Sequence, residues 1–233
     1  MKIRESCAIF AVCLILAACK SNNNPSIEEQ RKPEVASSTA QVAPADTRPV
    51  IVAFGDSLTA GVVENTYPEY LQQLLDEQGY KYRVDNQGVS GDTTTDGLAR
   101  IDNVIAVRPA LVILEFGGND GLRGIPVEAT KKNMEEMIGK LKEAKIPVAL
   151  LGITLPPNYG PDYVKPFTAM FPELAKEFNL RLLPFLLIDV YRHSGMMQPD
   201  GIHPSGAGNK IVAQDVFQFI KPSLVKRAGP AAE

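Results

Sequence analysis

The sequence predicts an α/β protein: a five-stranded parallel sheet covered by helices on both faces, forming a three-layer α/β/α sandwich. Three observations carry that prediction. From Pro49 onward, short apolar runs alternate with amphipathic stretches, the pattern of repeated strand–helix units with right-handed crossovers. Runs such as Leu111-Val112-Ile113-Leu114 are apolar on both faces, as strands covered on two sides should be. Glycine-rich, turn-forming segments follow several of these runs.

Along the chain, apolar runs at 50–54, 82–86, 110–116, 147–153 and 181–184 read as the strands. Amphipathic stretches at 67–78, 95–107, 126–145, 164–178 and 205–220 read as the helices. The third helix has the clearest stripe, with Met134, Met137, Ile138 and Leu141 at helical spacing. Pro126 opens it, in a first turn where the missing N–H costs nothing. Five strands joined in this way suggest a flavodoxin-like sandwich, although the sequence leaves the strand order open. The topology does fix position, because ligand crevices in open α/β sheets lie at the carboxyl ends of the strands. Ser57, Gly91, Asn119 and the loop at 155–160 all follow expected strands and are expected on one rim.

A chain of 233 residues suits one domain, at 49–222, with appendages. A formal net charge of −3 and an isoelectric point near 5.6 argue against a nucleic-acid partner. Two histidines and three cysteines leave little for a metal site. Lys2 and Arg4 precede an apolar run, about 7–18, that is too short to span a bilayer and fits a secretory signal. It ends in Leu16-Ala17-Ala18-Cys19, which resembles a bacterial lipobox, where the cysteine thiol takes up a diacylglycerol. Residues 1–18 are then a signal peptide and Cys19 is the lipidation site. Cys7 and Cys13 leave with the signal, so the exported domain is expected to hold no disulfide. The alternative is an ordinary signal peptide with an incidental cysteine. Residues 19–48, rich in Asn, Ser, Pro and Ala, read as a disordered tether, and 223–233 as a flexible tail. The expected location is the cell envelope. Lys20, where an aspartate would favour the inner membrane, points to the outer membrane facing the periplasm.

Four blocks carry the chemistry. Gly55-Asp56-Ser57-Leu58 puts a serine just past a strand. Asn86-Gln87-Gly88-Val89-Ser90-Gly91-Asp92-Thr93 and Glu115-Phe116-Gly117-Gly118-Asn119-Asp120 are two further post-strand loops. Asp200-Gly201-Ile202-His203-Pro204 supplies an imidazole with a carboxylate three residues before it. A serine hydroxyl attacks only when a base takes its proton, and with two histidines in the chain His203 is the better candidate. Simpler roles stay open for single residues. Ser57 could be a helix N-cap and Asn119 a turn residue; Asp56 and Asp120 read better as caps or braces. His193 and Arg123 read as exposed side chains.

In this order and spacing the blocks resemble the SGNH hydrolases, also called the GDSL family. The strings Gly117-Gly118-Asn119-Asp120-Gly121-Leu122-Arg123-Gly124 and Leu155-Pro156-Pro157-Asn158-Tyr159-Gly160 resemble its thioesterase I, lysophospholipase and arylesterase group. The resemblance runs from about 49 to about 220. It implies the SGNH hydrolase fold and an esterase acting on acyl esters and thioesters through an acyl-Ser57 intermediate. Ser57, Asp200 and His203 would be catalytic. The backbone N–H groups of Ser57 and Gly91 and the side-chain amide of Asn119 would form the oxyanion hole, with no cofactor and no metal. The expected partners are a small-molecule acyl ester, thioester or lysophospholipid, and a membrane through lipidated Cys19; a monomer is favoured. Leu122, Ile125, Leu155, Tyr159 and Ile202, with Met196 and Met197, are candidates for substrate contact, or simply core. A carbohydrate O-acetylesterase, or a non-catalytic envelope lipoprotein that binds acyl chains, are the alternatives.

Overall fold

The computed structural model describes residues 46–226. Five strands form one parallel sheet: β1 (Val50–Gly55), β2 (Arg83–Asn86), β3 (Leu111–Glu115), β4 (Val148–Leu151) and β5 (Arg181–Leu183). Their order is β2-β1-β3-β4-β5, so the flavodoxin-like expectation holds. The chain moves outward from β1 in both directions, and the resulting switch point lies between β1 and β3, where crevices form in such sheets. Residues 51–54 of β1 and all of β3 are buried, as their apolar sequence requires.

Among the described residues seven α-helices accompany the sheet: α1 (Ser57–Ala60), α2 (Tyr67–Glu77), α3 (Thr94–Ala106), α4 (Gly118–Leu122), α5 (Val127–Glu143), α6 (Pro161–Phe178) and α7 (Gly206–Ile220). α2 packs on α7, whereas α3 packs on α5 and α5 on α6. In α2, Tyr67, Leu71 and Leu75 are buried at helical spacing, and the Glu69 carboxylate accepts the Thr66 N–H at 2.8 Å. Asp96 closes the same kind of box on Thr93 at the start of α3. Ser205 caps α7 by accepting the Gly208 N–H at 3.1 Å.

Some boundaries differ from the expected ones for identifiable reasons. Pro126 is the N-cap of α5, with φ −52° and ψ 131°, rather than a residue of its first turn. α6 begins at Pro161, three residues before the expected 164, because a proline is well placed at a helix start. Pro166 and Pro172 each remove a bond from its ladder, yet buried Phe167, Met170, Phe171 and Leu174 carry the helix through them. α1 and α4 are not among the five expected helices, although Asp56 was read as a cap or brace and does cap α1.

Just before the expected tether boundary at 48, Arg48 pairs with exposed Asp46 at 2.7 Å and reaches Asp76 on α2 at 3.0 Å. At the other end the Val225 N–H donates to the Tyr82 hydroxyl at 3.2 Å, inside what was read as tail. The expectations for 1–18, for Cys7, Cys13 and Cys19, and for most of the tether and tail lie outside the described residues.

Candidate active site

Ser57 is the first residue of α1, directly beyond β1. Asp56 caps that helix, its Oδ1 accepting the Leu58 N–H at 3.0 Å. The sharp turn from strand to helix puts the serine hydroxyl at the rim. There Ser57 Oγ lies 2.9 Å from His203 Nε2, although the two are 146 residues apart in sequence. His203 Nδ1 lies 2.7 Å from Asp200 Oδ2. Asp200 also accepts the N–H groups of Ile202 at 2.9 Å and His203 at 3.0 Å through Oδ1. One carboxylate therefore shapes the turn and orients the ring.

The loop carrying this pair is pinned on both sides. Gln198 N–H donates to the His203 carbonyl at 2.8 Å, Ser205 N–H to the Met196 carbonyl at 2.8 Å, and Met197 bridges Pro204. Burial alone would raise the Asp200 pKa, but hydrogen bonds from the His203 ring and from the Ile202 and His203 amides hold it at about 2. As an anion Asp200 can only accept. That puts the ring proton on Nδ1 and leaves Nε2 to accept from the Ser57 hydroxyl.

Asn119, the second residue of α4, lies beyond β3 across the switch point. Its Nδ2 donates to Asp56 Oδ2 at 3.1 Å and to the Asp92 carbonyl at 2.9 Å. Gly91 sits in the loop before α3 with φ +88°, in the left-handed region that favours glycine. A Cβ there would meet only Arg123 Nη2, at 3.8 Å. The glycine thus answers a backbone demand and leaves space above its amide. Neither the Gly91 nor the Ser57 N–H donates to a protein acceptor among the described residues.

Two arginines tie these loops together. Arg123 Nη2 donates to the Gly91 carbonyl at 2.8 Å, so this exposed side chain braces the neighbouring loop. Arg100 on α3 donates to the Gly55 carbonyl at 3.0 Å, the Gln87 carbonyl at 2.7 Å and Asp92 Oδ2 at 2.8 Å. Its guanidinium also stacks 4.4 Å from the Phe54 ring centroid. Asp120 braces too, accepting from the Thr94 N–H and hydroxyl and from the Thr130 hydroxyl.

Beside the serine opens a mostly apolar cavity of about 300 Å³, at the lower end of the range for small-molecule sites. Leu122, Leu155 and Ile202 line it as expected. Ile125 and Tyr159 do not. The Ile125 N–H closes the turn after α4 on the Asp120 carbonyl, and its own carbonyl accepts the Tyr163 hydroxyl. Tyr159 spends its hydroxyl on the Leu122 carbonyl at 3.1 Å, holding one loop to another. Met196 and Met197, partly buried in the segment that carries His203, pack against the core. The cavity's far wall comes from residues that sequence reasoning missed: Ile153, Phe185, Leu187 and Tyr191. Phe185, Leu187 and Tyr191 follow β5, so the post-strand rule, applied to the last strand as to the others, points to them. His193 stays outside, its Nδ1 2.7 Å from the Asp189 carbonyl.

Under Ser57 lie two buried carboxyls. Glu115 ends β3 and Asp56 follows β1; they are 0% and 2% exposed. Glu115 Oε2 accepts the Asp56 N–H at 3.3 Å and the Thr59 hydroxyl at 2.9 Å. Burial, reinforced by the Asp56 charge, pushes Glu115 well above the usual carboxylate range. Burial likewise raises Asp56, to about 6, against the opposing Leu58 N–H, the Glu115 hydrogen bond and the His203 charge.

A hydroxyl, an imidazole and a carboxylate in series, on the rim of an open parallel sheet and beside an apolar cavity, define a serine-dependent acyl hydrolase. Residues 53–211 match the GDSL-like Lipase/Acylhydrolase family. The chain belongs to that family and is a carboxylic-ester hydrolase of SGNH type. It is 42% identical to "Esterase TesA" of Pseudomonas aeruginosa over 178 residues, 75% of this chain and 89% of that protein. It is 37% identical to "Thioesterase 1/protease 1/lysophospholipase L1" of Escherichia coli strain K12, covering 79% of this chain and 88% of the relative. The crystal structure of psychrotrophic esterase EstA from Pseudoalteromonas, inhibited by monoethylphosphonate, superposes with a TM-score of 0.71 at 31% identity, covering 75% of this chain and 97% of that one.

Proposed function

We propose that the protein hydrolyses acyl esters and thioesters through an acyl-Ser57 intermediate. The observation that carries this reading is the unbroken series Ser57 Oγ, His203 Nε2, His203 Nδ1 and Asp200 Oδ2, with contacts of 2.9 and 2.7 Å. Ser57 Oγ attacks the acyl carbonyl as His203 Nε2 takes its proton. The ring returns that proton to the departing alkoxide or thiolate, and water repeats the cycle on the acyl-enzyme. Asp200 holds the tautomer and stabilises the imidazolium. The oxyanion is received by the N–H groups of Ser57 and Gly91 and by the Asn119 amide. Asn119 has both N–H groups engaged in the free protein, so one of its two partners, Asp56 or the Asp92 carbonyl, must share it.

The apolar wall of Ile153, Leu155, Phe185 and Leu187 supports acyl chains rather than sugars as the bound part. The names of the relatives support aryl esters, acyl-thioesters and lysophospholipids as substrate classes. A protein anchored through a lipidated Cys19 meets esters of the cell envelope, and the outer membrane facing the periplasm is the location we assign to it.

A fluorophosphonate probe is expected to label the parent and not Ser57→Ala; full labelling of the variant would remove Ser57 as nucleophile. In an ester panel of graded chain length, octanoyl esters are expected to turn over with higher kcat/KM than acetyl esters. A strong preference for acetyl would favour the O-acetylesterase reading.

A further inference from the structure

Glu115 is fully buried at the end of β3, next to the catalytic turn, and among the described residues it forms no ion pair. A desolvated carboxylate without a cation is costly enough that such groups take up a proton instead. Its surroundings leave room for one. Oε2 is occupied by two donors, the Asp56 N–H and the Thr59 hydroxyl. Oε1 has no partner as an acceptor and is fully buried. The neighbouring carboxyl is Asp56, and two adjacent buried carboxylates cannot both ionise readily. A proton on Glu115 donated to Asp56 removes the orphaned oxygen and the repulsion together.

We propose that Glu115 is a positioning residue that acts as a neutral acid, donating its proton to the Asp56 carboxylate and so fixing the plane of the Asn119 amide. This rests on the esterase reading above. Asp56 Oδ1 is tied to the Leu58 N–H and Oδ2 to Asn119 Nδ2. With one Asn119 N–H held there, the other, now on the Asp92 carbonyl at 2.9 Å, is the one a developing oxyanion can share. Gly55 permits the arrangement: a Cβ would stand 2.5 Å from Glu115 Oε2 and 2.3 Å from Thr59 Oγ1.

The ionisable groups around the pair are few. Tyr67 of α2 faces Thr59 Oγ1 at 3.4 Å and is kept neutral by burial. The imidazolium form of His203 acts on Asp56 by its charge. Arg100 of α3 is engaged by Asp92 and the Gly55 and Gln87 carbonyls, and Asp120 of α4 by Thr94 and Thr130.

The test uses the full chain with Glu115→Gln and Glu115→Leu. Gln keeps a donor and an acceptor and cannot ionise; its kcat is expected within about threefold of the parent, with KM unchanged. Leu offers Asp56 nothing, and its kcat is expected to fall about 10²-fold, the scale of a lost oxyanion donor, with fluorophosphonate labelling slowed in step. The folded protein retains a Glu115 proton that the unfolded chain has released, so parental stability falls as pH rises from about 4.5. The urea midpoint of Glu115→Gln is therefore expected to gain on the parent through that rise. At about pH 8 the parent should also show the infrared carbonyl band of a protonated carboxylic acid, absent in Glu115→Gln; Asp56 and Asp215, raised to about 6, are then ionised. Folded Gln and Leu variants that are equally poor, or a Leu variant with parental kcat, would overturn the proposal. A missing band would do so even if neither variant folds. The band is independent of turnover, so failure of the esterase reading is seen separately, as a parent that cleaves no ester.

Discussion

Asp200 shows how much one side chain can be asked to do. Oδ1 closes the turn that presents His203, while Oδ2 fixes the ring's tautomer. Its 43% exposed side chain limits what it adds to stability, so its substitution should separate catalysis from folding. Asp200→Asn keeps the turn acceptor but can present an amide N–H to Nδ1, driving the ring proton to the nitrogen that faces Ser57. We expect kcat to fall on the order of 10²-fold or more with a nearly parental thermal midpoint; near-parental kcat would show that the tautomer is set elsewhere. The folded-state pKa is lowered to about 2. The stabilisation linked to its ionisation is thus present above the unfolded value of 3.8 and lost as pH falls through about 2. Activity lost at higher pH reports another group. The Asp–His spacing was legible in the sequence because both residues sit on one short turn. The Glu115–Asp56 pair was not, since it forms only when β1 and β3 align Gly55 with Glu115.

At the level of elements, the site is a set of loops held at fixed separation by α3. Arg100 reaches the Ser57 turn and the Gly91 loop at once, through Gly55, Gln87 and Asp92. A lysine cannot reproduce three donors in a planar fork. Arg100→Lys is expected to cost about 2–3 kcal/mol of stability by urea unfolding and to lower kcat more than it raises KM. A parental urea midpoint would remove the strut. Apolar runs and stripes gave the five strands and five longer helices, because burial on a sheet or one helix face imposes a period. α1 and α4 are too short to show a period, and their starts depend on Asp56 and on Gly117 at φ +111°. The cavity wall from Phe185 to Tyr191 was missed for a related reason. It lies in a long irregular segment whose apolar residues read equally well as core.

For the whole molecule, the switch point between β1 and β3 brings Ser57 and Asn119 to one crevice, and α7 follows the loop that delivers His203 to it. The chain enters β1 at Val50, at the end of the strand remote from Ser57. We expect residues 46–233 to retain the parent's kcat/KM on short aryl esters. Replacing Cys19 with alanine in the full chain should shift active protein from the membrane to the soluble fraction. A Cys19→Ala protein that stays with the membrane would defeat the anchoring proposal, and an inactive 46–233 fragment would show that the N-terminal segment contributes to the site.

The amino-acid sequence alone determined the α/β class and the expected rim, because periodic burial and post-strand turns are local properties, and the resemblance of its four blocks named the candidate reactive side chains. The tertiary structure decided what lies next to what: the hydroxyl within 2.9 Å of the ring, the arginine across three loops, the cavity wall after β5 and the buried acid beneath the serine. Those contacts join residues far apart in the chain, and only assembly of the sheet and packing of its two helical layers fix their distances.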